Sequence, residues 1–84
     1  MALRLRPDIS TAETEYGTVL LDERSGHYWE LNPTGTLVIR KLLAGADEAA
    51  AADALVAQYD VDPADAAEDV AALVQELRTA GLAA

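Results

Sequence analysis

The chain has 84 residues, with 15 acidic and 6 basic side chains, a formal net charge of −9 and no cysteine. That length gives one domain with a modest core and no room for a lidded active site, and the lack of cysteine excludes both a disulfide framework and a thiolate metal site. Residues 1–46 carry six acids against five bases and residues 47–84 nine acids against Arg78 alone, net −1 and −8; this field opposes duplex DNA, which needs several phosphate-neutralising cations, and favours a basic peptide.

The first seven residues, MALRLRP, lack the continuous apolar run of a signal peptide. No segment approaches the roughly 20 apolar residues of a membrane span, so a cytoplasmic location is expected. Leu3, Leu5 and Ile9 occupy odd positions of an extended segment that Pro7 interrupts, which predicts an irregular first strand at about 3–10. Thr18, Val19, Leu20 and Leu21 predict a second strand at about 17–23, and His27, Tyr28, Trp29, Glu30 and Leu31 a third at about 27–31. Between these two, Gly26 supplies the positive φ that closes a short hairpin.

In a sheet ordered first, second, third, the third strand keeps one hydrogen-bonding edge unpaired. It carries Tyr and Trp rather than the Lys, Pro or bulge that usually blunts such an edge. An extended ligand could therefore join it by strand addition. Alternation sets Trp29 and Leu31 toward the helices and Tyr28 and Glu30 away from them.

Asn32 and Pro33 suit an N-cap and a first helical turn, and Gly45 follows Arg40 and Lys41, so a helix is expected over 33–44. A second helix, over 47–59, takes Asp47 as its cap and places Ala52, Leu55, Val56 and Tyr59 on one face. The third, over 63–80, starts at Asp62-Pro63 and stops at Gly81. Its apolar stripe is Val70, Leu73, Val74 and Leu77, which reads first as core packing; a docking role needs only the edge of the stripe.

Catalytic options close quickly. Ser10 and Ser25 are the only serines and His27 the only histidine, and Ser25 lies two residues from His27 across a tight turn, unlike a nucleophile and base converging from separate elements. Asp60, Asp62 and Asp65 fail as a calcium loop, because Asp65 stands where a Gly is needed and Ala71 where a bidentate Glu is needed. Neither serine follows an Asp, so the phosphopantetheine attachment of a carrier protein is missing too. No catalytic residue, metal or cofactor is expected.

The ordered series Glu15-Tyr16-Gly17, Val19 to Glu23, Tyr28-Trp29, Leu31 to Gly35, Asp69-Val70, Leu73 and Gly81-Leu82 resembles the PqqD-like leader-recognition proteins, or RiPP recognition elements, of lasso peptide biosynthesis. The resemblance covers nearly the whole chain, and its weight lies in the order of the pieces rather than in any one of them. It implies an α+β, winged-helix-like single domain over 1–84, with a three-stranded antiparallel sheet followed by three helices. Such a domain binds the leader of a ribosomally made precursor without catalysis, as an added strand in the groove between the third strand and the last helix. On this resemblance Tyr28, Trp29, Glu30 and Leu31 supply the pairing edge, and Val70, Leu73 and Leu77 the apolar pockets for a Tyr-x-x-Pro leader segment. Asp69 and Glu76 attract leader lysines. The bound precursor would pass to a transglutaminase-like cysteine leader peptidase and then to an ATP-dependent, asparagine-synthetase-like lasso cyclase. The alternatives are a PqqD-like partner of a radical-SAM or other peptide-modifying enzyme and, from another class, a winged-helix transcription regulator.

Overall fold

The local signals of the chain resolve into six elements in the computed structural model, which describes residues 3–83. These are strands β1 (Ile9–Thr14), β2 (Gly17–Asp22) and β3 (Tyr28–Leu31), then helices α1 (Pro33–Leu43), α2 (Glu48–Tyr59) and α3 (Pro63–Thr79). The sheet order is β1-β2-β3 with both pairs antiparallel, so β3 is an edge. The register opposes Leu20 to Trp29 and Thr18 to Leu31 on the helix side, and Leu21 to Tyr28 and Val19 to Glu30 on the other. Burial follows that alternation: Leu20 is 0% exposed and Tyr28 62%.

The first strand runs over 9–14 rather than 3–10. A two-residue turn at 15–16 fixes the ladder, in which Thr14 faces Gly17 and Ile9 faces Asp22, so β2 has no residues left for anything earlier. The segment before Pro7 turns instead to the other terminus. Leu5 forms an antiparallel bridge with Ala83, and the Arg6 N–H donates to the Leu82 carbonyl at 3.0 Å. Leu3 and Ile9 are nevertheless buried. The apolar spacing there reports core contact, not a continuous strand.

Gly17 allows the start of β2 to lie against the end of β3. Its φ is +145°, and a Cβ on it would stand 1.9 Å from the Leu31 carbonyl oxygen. Beyond β3, each helix begins as its sequence dictates. Oδ1 of Asn32 accepts from the Gly35 N–H at 2.9 Å, that of Asp47 from Ala50 at 2.8 Å and that of Asp62 from Ala64 at 2.8 Å. Each bond satisfies a donor that a helix start otherwise leaves unpaired.

The core lies between the sheet and the helices, with Leu20, Leu42, Val70 and Leu82 as its largest fully enclosed side chains. Burying each is worth about 1.5–3 kcal/mol. α2 rests between α1 and α3, and its buried face is small, Ala51 and Ala52 with Leu55. Tyr59, expected on that face, is instead exposed. It sits in the last turn of α2 and borders a surface recess with Gly17, Pro33 and Arg40. α3 packs on α2 and hardly approaches the sheet, which leaves a channel between α3 and β3.

Candidate functional site

Two recesses, of about 500 and 560 Å³, lie along that channel and share Glu30, Leu31, Leu73 and Glu76, so they form one groove. At one end it is completed by Asn32, Thr34 and Gly35 of the α1 start, by Val38 and Leu55 beneath, and by Val61 and Asp69. At the other end stand Trp29, Leu77, Thr79 and Ala80. β3 and α3 therefore run in opposite directions along it. The strand wall offers its unpaired edge, four residues or about 13 Å of backbone donors and acceptors.

Of the residues expected at the site, Trp29, Glu30, Leu31, Asp69, Leu73, Glu76 and Leu77 line this groove. Tyr28 does not. It shares the edge through its backbone, but its ring lies on the outer sheet face beside Leu21. Val70 is 0% exposed and lines neither recess, so it packs beneath the groove rather than in it.

The stripe on α3 thus divides into two seams one residue apart. Val70, Val74 and Leu77 are buried, Leu77 also reaching the Trp29 end of the groove, whereas Asp69, Leu73 and Glu76, with Ala80 just past the helix, recur at intervals of four, three and four along the groove face. The apolar pattern marks the first seam plainly. The second mixes acid, leucine and alanine, so within the residue pattern itself only its helical spacing signals it. Val38, Leu55 and Val61 carry no sequence signal of a groove role, because three separate elements bring them to one place.

Electrostatically the groove is one-signed. Its lining contains Glu30, Asp69 and Glu76 but no Lys, Arg, His, Ser or Cys. The ion pairs among the described residues, Arg6 and Arg24 with Asp8 and Arg40 with Glu13, lie off the groove and leave its three carboxylates without a cation. No group of metal-ligating side chains occurs among the described residues, and no helix there is long and apolar enough to cross a membrane. Asp60 and Asp62 have other work: Asp60 takes the left-handed conformation that ends α2, and Asp62 caps α3. An apolar floor, an open strand edge and unpaired carboxylates on the rim suit an extended peptide carrying apolar and basic side chains.

The chain is similar to known proteins over most of its length. The family described as "Coenzyme PQQ synthesis protein D (PqqD)" matches residues 17–83. A solved structure of "Lasso peptide synthetase B1 complexed with the leader peptide" is similar at 49% identity and a TM-score of 0.94, over 100% of this chain and 99% of that one. "TbiB1 in Complex with the TbiA(beta) Leader Peptide" shares the fold at 24% identity and a TM-score of 0.86, over 95% of this chain and 93% of that one. No curated protein matches the sequence.

Proposed function

The chain belongs to the PqqD family, and from that premise we propose that it binds the leader segment of a ribosomally synthesised precursor in lasso peptide biosynthesis. The observation that carries the reading is the full-length similarity, at 49% identity, to a lasso peptide synthetase B1 that holds a leader peptide. The groove supplies the physical means. The leader lies as a fourth strand on β3, its backbone paired with the free edge, while alternate side chains enter the recesses at Leu31, Leu73 and Leu77. Glu30, Asp69 and Glu76 draw in leader cations.

The domain works without catalysis, holding the precursor for a separate leader peptidase and then the cyclase. What supports this is the groove lining, which contains no nucleophile paired with a base. Binding is expected at micromolar strength or better, about −8 kcal/mol.

Amide hydrogen exchange with and without a synthetic leader tests the pose. Strand addition protects alternate amides of β3, while Val19 to Leu21, already paired on both sides, change little. Protection confined to α2 would put the ligand elsewhere. Cleavage of the precursor by the purified domain alone would end the non-catalytic reading.

A further inference from the structure

The two walls of the groove make few direct contacts with each other. At the Asp69 end, Val38 of α1 and Leu55 of α2 fill the space between them. At the Trp29 and Ala80 end neither of those helices lines the groove, and α3 hardly approaches the sheet. The segment before β1 attaches to the chain just past that end. Leu5 bridges Ala83 and the Arg6 N–H donates to Leu82, whose side chain is wholly buried.

The Arg6 side chain carries the connection further. Its Nη1 donates to the Gly81 carbonyl at 2.7 Å, two residues past the end of α3. Its Nε and Nη2 fork onto the Asp8 carboxylate at 3.3 and 2.9 Å. Asp8 in turn reaches the β2–β3 turn: its carbonyl accepts from the Glu23 N–H at 3.0 Å and its carboxylate meets Arg24 Nε at 3.4 Å. That turn leads directly into β3. One guanidinium therefore ties the end of the helical wall to the start of the strand wall. Only arginine can do both, since its planar fork engages a carboxylate with two donors and has others left for a carbonyl.

We propose that Arg6 is a positioning residue for peptide binding, which sets the separation of β3 and α3 at the Trp29 and Ala80 end of the groove without itself lining it. The inference rests on the leader-binding reading above. Fixing that separation in the free protein spares the peptide the cost of ordering the two walls, which is how a preorganised site gains affinity.

The test uses a synthetic peptide with the leader sequence of the 49%-identical complex, together with its alanine-scanned versions, titrated into the wild type, Arg6→Met and Arg6→Lys. Arg6→Met is expected to bind about tenfold more weakly and Arg6→Lys, which keeps one donor for Gly81 but loses the fork, by an intermediate factor. In double-mutant cycles the loss falls on the peptide residues next to Trp29 and Ala80, while those next to Asp69 and Val61 keep their full contributions. Trp29, the only tryptophan, supplies a second readout: its emission in the peptide-free variants shifts to the red as that end opens. Should Arg6→Met fail to fold, Arg6→Lys carries the same cycle. A purely structural arginine would weaken every peptide position alike and in proportion to lost stability, and that result overturns the proposal. Unchanged affinity and an unchanged scan overturn it too, leaving the leader-binding reading intact. Failure of the wild type to bind the peptide removes both.

Discussion

β3 and α3 face the same groove but are built in opposite ways. β3 has four residues, is paired on one side only, and presents unpaired backbone. α3 has 17, keeps its backbone bonds within the helix, and presents side chains on a four-three-four spacing. A strand edge accepts any extended chain that fits, whereas the side chains of a helix select among such chains. In the proposed binding mode generic affinity would come from one wall and discrimination from the other, and mutation separates the two.

The largest effect should come from breaking the strand wall at its root. Gly17→Val would drive a Cβ into the Leu31 carbonyl in a backbone conformation that L side chains rarely adopt. A loss of about 3 kcal/mol or more is expected, a fall of more than about 12 °C in melting temperature for a domain of this size, with peptide binding lost alongside. Thermal unfolding followed by circular dichroism checks it; a variant that melts like the wild type would mean that β3 is free to move away.

The helical wall divides more finely. Val70→Ala removes wholly enclosed methyl groups and should cost roughly 2 kcal/mol of stability, with affinity for the peptide nearly unchanged. Leu73→Ala, on the groove seam, should do the reverse: a small change in stability and about tenfold weaker binding, roughly 1.4 kcal/mol. Denaturant midpoints and titration calorimetry on the pair decide. Parallel behaviour of the two variants would erase the division of α3 into two seams.

That division also marks how far the sequence could be read. The hairpin, the caps at Asn32, Asp47 and Asp62 and the edge position of β3 were legible, because each is a local choice made by a few neighbouring residues. Asp69, Leu73 and Glu76, expected at the site from the resemblance, do line the groove. Val70 was grouped with them because a period of 3.6 does not say where a stripe passes from core to rim; the placement of α2 beside α3 decides that. Val38 and Val61, and the path from Gly81 through Arg6 and Asp8 to the turn before β3, depend on contacts between distant parts of the chain, up to 75 residues apart for Arg6 and Gly81. Nothing in the local pattern announces such contacts.

A smaller effect distinguishes the walls by charge. Replacing Glu30, Asp69 and Glu76 by their amides leaves the apolar floor in place and removes the negative rim. Association with a basic leader should slow several-fold at low ionic strength and lose most of its salt dependence, with dissociation little altered, because exposed charges act through screenable long-range attraction. Stopped-flow association across a salt series measures this. Identical salt slopes for the variant and the wild type would reduce the rim to a solubilising surface.

The smallest effect concerns the tie between the walls and is read through acid. The fork from Arg6 holds the Asp8 carboxyl below its ordinary value of 3.8, against a partly opposing cost of burial. A carboxylate whose folded-state value is depressed adds stability that is fully present above the ordinary value and is lost as pH falls through it toward the depressed one. Asp8→Asn cannot titrate. It should therefore be less stable than the wild type by a constant margin from neutral pH down to that value, and the margin should close below it. Asp22, whose carboxyl is also lowered, by the backbone N–H of Arg24, titrates in both proteins and cancels in the difference. If the tie spans the groove, the change in Trp29 emission on acidification should follow the same closing margin in the wild type and be absent from Asp8→Asn. A margin that stays constant down to about pH 2 would show that the fork contributes nothing, and the strand and helix walls would then be held at that end by Leu82 and its buried neighbours alone.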